Sequence, residues 1–465
     1  MVNVQFSMHR IPFAFIFTLF AFISSAQPIK EKLQKAYLQF ESDTQLKHAI
    51  SSLYVINAKT NEIIFDKNSQ IGLAPASTQK IITAATAFEL LGKAFRYETK
   101  FGYVGKVKGK SLQGNFLIKP SGDPTLGSWR WESTKDSAVL DKMLGAVKKL
   151  RITGYNDIVV DNKEWNSEII PDGWIWQDIG NYYGAGAGAF NWRENQFDII
   201  LKSGQKIGDP VNVIKTNPKS FLPVISYAES EAKGTGDNAY AYYPLNNQNV
   251  VVRGTIPINE NAFVISAANP YSLNQFAYLF RGNLQTKLEM RQVHYEDHFP
   301  DTTILLSHFS PPLDSIVYWF LKKSINLYGE ALIKTLAYEK KGFGSTDSGV
   351  VIVKNFWKQK GLDPDELNIK DGSGLSPQNR VTTHAQVEIL KYAKKQPWFP
   401  NFFDALPEFN NMKMKSGTIS DVKSFCGYHT SGNGTQYVFS FIINNYSGSS
   451  SSVVQKMYKV LDVLK

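Results

Sequence analysis

Apolar residues recur at helical spacing in the segment APASTQKIITAATAFELLG, residues 74–92. Ile81, Ala85 and Phe88 fall on one side of a helix, and Gly92 follows the last periodic position as a stop signal. After the first turn the segment has few polar positions. It therefore predicts a helix that lies in the interior of the protein.

Strand-like runs occur near both ends of the chain. Residues 51–68 contain two β-rich runs around Ala58–Asn61, which predicts a hairpin. Near the other end, MKMKSGTISDVKSFCGYH and QYVFSFIINNY are strand-like with glycine and serine breaks, and SVVQKMYKVLDVL returns to helical spacing. We expect an antiparallel sheet built from both ends of the chain and covered by helices.

The middle of the chain has a different pattern. Short strands and turns dominate residues 97–261, with one clear helix near Val139, and helical patterns resume from Pro270. We therefore predict a β-rich insert at 97–261. The domain that it interrupts is expected to consist of residues 27–96 and 262–465.

The first 26 residues have the three parts of a secretory signal. Arg10 precedes an apolar run from Ile11 to Ile23, and Ser24-Ser25-Ala26 is a small-residue cleavage site. The run is shorter than the roughly 20 residues that span a bilayer as a helix. We expect cleavage after Ala26, export to the periplasm or cell envelope, and no transmembrane anchor afterwards. A buried N-terminal helix is the alternative.

Composition and charge narrow the class of protein. The chain is 43% hydrophobic and 13% aromatic, which is enough to build ordinary cores. Cys426 is the single cysteine and is interpreted as structural, so no intramolecular disulfide can form. The net charge of +10 fits an affinity for anionic polymers or carboxylate-bearing substrates, or solubility alone. No basic block with interleaved aromatic residues occurs, so nucleic acid is not an expected partner.

A serine and a lysine three positions apart on a helix lie on one face, where the amine can take the proton of the hydroxyl. The sequence after two of the candidate serines is typical of turns, and a third lies within a strand-like run. Only the first candidate opens the long apolar helix, so we predict that it is the reactive pair, the alternative being that its serine caps the helix. The four candidates are Ser77 with Lys80, Ser203 with Lys206, Ser230 with Lys233, and Ser420 with Lys423.

Two further motifs support the first pair. Ser324-x-Asn326 lies between two amphipathic helices, and Lys415-Ser416-Gly417-Thr418 lies on a predicted strand. Either motif alone is weak, since Ser272-x-Asn274 and Ser431-x-Asn433 have the same spacing. Together with Ser77-x-x-Lys80, in this order, they resemble the three motifs of penicillin-binding proteins and serine β-lactamases.

Other segments make the resemblance more specific. PASTQK, GDPTL at 122–126, GWIWQDIGNYYGAGAG at 173–188, DGSGLS at 371–376 and the long gap between the first two motifs resemble the D-alanyl-D-alanine carboxypeptidase/endopeptidase family of low-molecular-mass penicillin-binding proteins, the penicillin-binding protein 4 type. The resemblance covers nearly all of the chain after the signal. It implies an α+β fold with a penicillin-binding/β-lactamase-like transpeptidase domain and a large β-rich insert.

The resemblance also implies the roles of the motif residues. Ser77, Lys80 and Ser324 are the expected catalytic residues, as nucleophile, base and proton relay. The expected substrate-binding residues are Asn326, Lys415, Ser416, Gly417 and Thr418, with the N–H groups of Ser77 and Thr418 as the oxyanion donors. No cofactor or metal is expected.

Two departures from the family pattern concern substrate contacts. Ser416 replaces the commoner threonine and keeps a hydroxyl. Pro377-Gln378-Asn379-Arg380 follows DGSGLS where some relatives place an arginine earlier, so no contact is assigned to Gln378 or Arg380. Asp161 resembles an insert residue that meets the substrate in relatives, with a plain strand-end carboxylate as the alternative.

The expected function is that of an exported serine DD-peptidase. It is expected to act on D-Ala-D-Ala stem peptides of peptidoglycan, with D-Ala cross-bridges as a further substrate, and to be acylated by β-lactams. The alternatives are a serine β-lactamase or esterase on the same scaffold and a catalytically silent wall-binding protein. A Ser-His-Asp hydrolase has no GxSxG motif to support it. The HYEDH segment, with His294 and His298, is a weaker metal-site alternative because surface exposure explains it better.

Overall fold

The computed structural model describes residues 29–244, 248–284, 294–296 and 301–465. The predicted signal, residues 1–26, lies outside the described residues. Within the described ranges, no helix combines the length and the apolar character that crossing a bilayer requires.

The strands form one large sheet and several smaller ones. In chain order they are β1 (Ile50–Asn57), β2 (Ile63–Lys67), β3 (Glu98–Lys108), β4 (Ser111–Lys119), β5 (Ile158–Asp161), β6 (Gln196–Lys202), β7 (Asn212–Asn217), β8 (Val224–Ser226), β9 (Glu229–Glu231), β10 (Asn238–Tyr242), β11 (Val250–Pro257), β12 (Phe263–Ala268), β13 (His294–Glu296), β14 (Thr302–Phe309), β15 (Leu367–Asn368), β16 (Arg380–Val381), β17 (Glu408–Phe409), β18 (Met412–Ile419), β19 (Val422–Thr430) and β20 (Gln436–Asn444).

The helices cover the sheets and fill the space between them. In chain order they are α1 (29–41), α2 (Lys80–Leu91), α3 (Asp136–Lys149), α4 (Trp176–Ile179), α5 (Ser272–Asn283), α6 (Leu313–Lys322), α7 (Asn326–Lys341), α8 (Thr346–Gln359), α9 (Thr383–Ala393), α10 (Phe399–Ala405) and α11 (Ser450–Leu461).

A six-stranded antiparallel sheet, in the order β17-β18-β19-β20-β1-β2, organises the main domain. β1 pairs with β20 in continuous register, from Ile50 opposite Asn444 to Asn57 opposite Tyr437. α1 and α11 cover one face of the sheet, and α2 and α9 cover the other, with α6, α7 and α8 packed beyond them. The predicted sheet from both chain ends, covered by helices, is confirmed, as is the α+β fold class.

α2 lies in the interior of the main domain because it has no polar face. Every residue from Lys80 to Phe88 is buried. Gly92, with a φ of 81°, ends the helix in a conformation that disfavours residues with a side chain. The apolar helix therefore carries Lys80 into the core beside Ser77.

The insert forms two β-rich parts among the described residues. In the first, the mixed sheet β13-β5-β4-β3-β14 shares a hydrophobic core with α3 and α5. In the second, the sheets β12-β6-β7 and β10-β11-β8 share another core, with β9 also paired to β11.

The insert ends later than the predicted boundary at residue 261. β12 pairs with β6, and β14 pairs with β3, so both late strands complete sheets of the insert. α5 also packs in the same core as α3. The insert therefore runs from β3 to β14, and the main domain resumes at α6. Helical periodicity after Pro270 marks a helix but does not show which sheet that helix covers.

Candidate active site

Ser77 and Lys80 are in contact at the start of α2. Ala76–Gln79 form a 3₁₀ turn that runs directly into the helix and brings the two side chains together. Lys80 Nζ lies 2.9 Å from Ser77 Oγ. It also donates to Asn326 Oδ1 at 2.6 Å and to the Ser373 carbonyl at 2.7 Å. A neutral amine in this position keeps two N–H donors for those oxygens and presents its lone pair to the Ser77 hydroxyl.

The surroundings of Lys80 favour its neutral form. The side chain is fully buried. Burial lowers the pKa of Lys80 well below its usual value, and the cation of Lys415 lowers it further, while Asp371 and Glu330 act in the opposite direction. A lysine without its proton can accept one from a neighbouring hydroxyl.

Ser324 and Asn326 lie beside this pair, in the turn between α6 and α7 and at the first position of α7. Ser324 has a φ of 58°, in the left-handed region that non-glycine residues rarely adopt. Asn326 accepts from Lys80 through Oδ1 and donates through Nδ2 to the Tyr183 carbonyl at 2.8 Å. Asn326 therefore links Lys80 to the insert.

The third predicted motif lies on β18, directly against the Ser77 turn. Lys415 is almost completely buried, and its Nζ donates to the Ser416 carbonyl at 2.8 Å. Burial lowers the pKa of Lys415 to about 7. A β-carbon on Gly417 would lie 2.6 Å from the Pro75 carbonyl oxygen, so β18 passes the turn with no room for a side chain.

An open cleft of about 770 Å³ joins the three motifs to the insert. From the main domain it is lined by Ser77, Ser324, Asn326, Ser416 and Thr418. From the insert it is lined by Arg130, Gln177, Asp178, Tyr183, Glu194 and Tyr240, among others. Burial raises the pKa of Asp178 to about 6. The insert thus forms one wall of the cleft that contains Ser77.

The profile of the D-Ala-D-Ala carboxypeptidase 3 (S13) family matches residues 33–408. The chain belongs to this family. A D-alanyl-D-alanine carboxypeptidase of an Actinomadura species is 26% identical over 444 residues, which cover 89% of this chain and 81% of the relative. The D-alanyl-D-alanine carboxypeptidase DacB of Haemophilus influenzae is 25% identical over 425 residues, which cover 84% of each chain.

Solved structures agree with the S13 assignment at the level of the fold. The crystal structure of penicillin binding protein 4 from Haemophilus influenzae matches with a TM-score of 0.77 at 22% identity and covers 94% of this chain and 98% of its own. The same protein complexed with a β-lactam matches with a TM-score of 0.72 at 21% identity, over 90% and 97% of the two chains. The resemblance stated from the motifs is confirmed, and this S13 protein is a serine-type D-Ala-D-Ala carboxypeptidase.

Two buried acids of this S13 peptidase were not predicted as part of the site. Asp371 and Glu330 are both fully buried near Lys80. Asp371 opens the DGSGLS segment, which was noted only as a mark of resemblance. Glu330 follows Asn326 by four positions on α7, and that spacing places both on one helix face. The helical spacing is therefore the signal that would have identified Glu330.

Among the described residues, the rival serines make no equivalent contact with a lysine. The Ser203 and Ser230 hydroxyls lie in the insert and accept the N–H groups of Glu260 and Gly204, respectively. Ser420 does line the cleft, in the turn between β18 and β19. Its partner in the motif, Lys423, instead donates to Thr418 Oγ1 at 2.6 Å.

Other candidate groups lie elsewhere. Asp161 ends β5 with its carboxylate 3.6 Å from Lys119 Nζ, and it does not line the described cleft. Arg380 donates to the Pro377 carbonyl at 2.6 Å and is also absent from the described lining. His294 begins the short strand β13, so that part of HYEDH is extended rather than helical, and His298 lies outside the described residues.

Proposed function

We propose that this D-Ala-D-Ala carboxypeptidase works through an acyl-enzyme on Ser77, with Lys80 as the base. The observation that carries the proposal is the 2.9 Å contact between Lys80 Nζ and Ser77 Oγ, made by a lysine that is completely buried. Neutral Lys80 takes the proton of the hydroxyl while Ser77 Oγ attacks the carbonyl carbon of the penultimate D-alanine. Asn326 and the Ser373 carbonyl hold the amine in place during this transfer.

The charge that develops on the attacked carbonyl oxygen needs fixed donors. The backbone N–H groups of Ser77 and Thr418 are the proposed pair, because β18 lies against the Ser77 turn and Thr418 lines the same cleft. Preorganised donors of this kind contribute about 10²- to 10³-fold to the rate in other acyl-transfer enzymes.

The remaining motif residues are assigned to the leaving group and to substrate binding. Ser324 relays a proton to the departing D-alanine amine, and Asn326 binds the substrate backbone. Lys415 supplies positive potential for the terminal carboxylate, and the Ser416 and Thr418 hydroxyls donate hydrogen bonds to it. Gly417 permits the close approach of β18. Water then hydrolyses the ester on Ser77 and releases the shortened peptide.

The proposed substrates are D-Ala-D-Ala stem peptides of peptidoglycan and, with the same acyl donor, D-Ala cross-bridges. The cleft of about 770 Å³ with a wall from the insert has room for more than a terminal dipeptide. β-Lactams are proposed to acylate Ser77. Membership of the S13 family favours a peptidase over the β-lactamase, esterase and silent wall-binding alternatives. We also propose that residues 1–26 direct export to the periplasm or cell envelope.

Labelling with benzylpenicillin tests the nucleophile. Intact mass should show one covalent adduct per chain, and peptide mapping should place it on Ser77. Ser77→Ala should lose both the adduct and the release of D-alanine from a stem pentapeptide, whereas Ser420→Ala and Ser203→Ala should keep both. An adduct that survives Ser77→Ala contradicts the assignment. Rapid lactam hydrolysis without D-alanine release supports the β-lactamase alternative.

A further inference from the structure

Glu330 lies fully buried beneath the turn that contacts the reactive lysine. Its Oε2 accepts the Gly372 N–H at 3.0 Å. The next residue, Ser373, provides the carbonyl that Lys80 Nζ binds at 2.7 Å. The hydrogen bond that Glu330 accepts therefore holds the peptide segment whose carbonyl group binds Lys80.

The turn at residues 371–374 packs closely against other backbone segments on both sides. A β-carbon on Gly372 would lie 2.2 Å from the Gly329 carbonyl oxygen, so the turn touches the backbone of α7. A β-carbon on Gly374 would lie 2.0 Å from the Ala76 carbonyl oxygen, so the turn also touches the residue before Ser77. If the turn moved on the side that faces Glu330, it would also displace Ala76 and Ser77 on its opposite side.

The hydrogen-bond donors around the two buried acids are unequally divided. Glu330 accepts the N–H of Gly372 on Oε2, and the Ser373 hydroxyl also faces its carboxyl group. Asp371 accepts five hydrogen bonds, and because donors to a carboxylate favour the charged form, Glu330 has the weaker support for a charge. The five are Gln79 Nε2, the Gly374 N–H and Asn379 Nδ2 on Oδ1, and Trp174 Nε1 and the Ser376 N–H on Oδ2. When two carboxyl groups lie close together, the one whose negative charge is better stabilised by hydrogen bonds ionises first. The other keeps its proton to higher pH.

The charged groups that face Glu330 come from three elements. Lys80 faces it from α2 and Asp371 from the turn. Lys334 is one turn further along α7, where its Nζ donates to the Ala187 carbonyl at 2.8 Å. Burial first, and then the charge of Asp371, raise the pKa of Glu330 to about 8, in agreement with the division of donors.

We propose that Glu330 is a positioning residue that acts in its protonated form: it fixes the 371–374 turn behind Lys80 without placing a second negative charge beside that lysine. A negatively charged Glu330 would stabilise the ammonium form of Lys80. Lys80 would then retain the proton that it must lose before it can act as a base. The inference rests on the proposed role of Lys80 as the base.

The first test compares Glu330→Gln and Glu330→Ala with the unaltered enzyme. The acylation rate with benzylpenicillin is measured across the pH range in which Lys80 loses its proton. Glutamine keeps the hydrogen-bond acceptor and, like the protonated acid, carries no charge. Below about pH 8, where native Glu330 keeps its proton, the rate of this variant should stay within about twofold and its ascending limb should not move. Alanine removes the acceptor for the Gly372 N–H, so its rate should fall about tenfold or more without a shift of that limb.

Two results would overturn the proposal. If Glu330→Gln shifts the ascending limb to lower pH by about one unit or more, the native carboxyl is charged and supports the ammonium form of Lys80. If folded Glu330→Ala is as fast as the unaltered enzyme, Glu330 does not position the turn.

The second test needs no substrate, so it separates a failure of this proposal from a failure of the Ser77 and Lys80 assignment. Native Glu330 keeps its proton while the unfolded side chain releases it, so the stabilising contribution is present at low pH and is lost as pH rises. The unfolding constant of the unaltered protein, relative to Glu330→Gln, should rise about tenfold per pH unit between about pH 5 and about pH 8. A ratio that does not change with pH would show a charged native Glu330 and overturn the proposal.

Discussion

Gly417 on β18 lies so close to Ser77 that a β-carbon on the glycine would stand 2.8 Å from the Ser77 backbone nitrogen. That nitrogen is one of the two proposed oxyanion donors. The same β-carbon would stand 2.3 Å from Ser424 Oγ, so it has no free direction in which to move. The close contact between strand and turn therefore makes the geometry of the proposed oxyanion site depend on the absence of one methyl group.

Gly417→Ala should lower the acylation rate by about 10²-fold or more, because the alanine must displace the Ser77 turn or β18 and so separate the two donors. The rate is measured from the formation of the penicilloyl adduct by mass spectrometry. Gly432→Ala is the matched control, since a β-carbon there has nothing within 4 Å. Equal rates in the two variants would contradict the role of this close approach.

Lys80→Arg should reduce acylation by about 10²- to 10⁴-fold, because a guanidinium keeps its proton at any pH compatible with folding and cannot act as a base. The rising limb of the pH profile, assigned to the lowered pKa of Lys80, should disappear as well. Thermal unfolding of the variant separates this effect from misfolding. An arginine variant that acylates at a normal rate would place the base elsewhere.

The affinity for a carboxylate-terminated peptide should fall above about pH 7. Lys415, whose pKa burial lowers to about 7, is cationic below that pH and loses its charge above it. The KM of an N-acylated D-Ala-D-Ala peptide should therefore rise with pH. The corresponding peptide amide has no terminal charge, so its KM should change little. In Lys415→Ala, the KM of the peptide acid and the KM of the peptide amide should depend on pH in the same way. A difference that persists in this variant would assign carboxylate binding to another cation.

The ion pair between half-buried Arg130 and buried Glu194 should matter for stability. Arg130 Nε lies 2.7 Å from Glu194 Oε1, which also accepts from Ser128 Oγ and from Tyr328 OH on α7. Arg130→Ala leaves a buried carboxylate without its cation and should cost about 3–5 kcal/mol in the free energy of unfolding.

The exposed pair of Lys135 and Glu132 is the control for that measurement. The side chains of this pair are 40% and 88% exposed, so Lys135→Ala should change stability by less than about 1 kcal/mol. Both variants are compared by denaturant unfolding at neutral pH. Similar small losses in the two would show that the Arg130 pair adds no more than a surface contact.

Local sequence patterns were sufficient for the parts of the site that are themselves local. The apolar helix after Ser77 could be predicted from its periodicity, whereas Ser324 and Lys415 entered the prediction through the resemblance to the three motifs of penicillin-binding proteins. The late end of the insert could not be predicted, because the paired residues of β12 and β14 lie 62 to 211 residues away along the chain. The unequal division of hydrogen-bond donors between Asp371 and Glu330 could not be predicted either, because the donors to Asp371 come from several separate segments.

Because β1 pairs with β20, the main sheet cannot be completed during biosynthesis until β20 has been made. Ser77 is synthesised early, whereas Lys415 and the strand neighbours of β1 appear only after the whole insert. Contacts so distant in sequence form late in folding, because a long loop must close first. An unfinished chain therefore carries the serine without the strand that completes its surroundings. Under the proposed mechanism, we expect Ser77 to become reactive only after β18 and β20 have been synthesised.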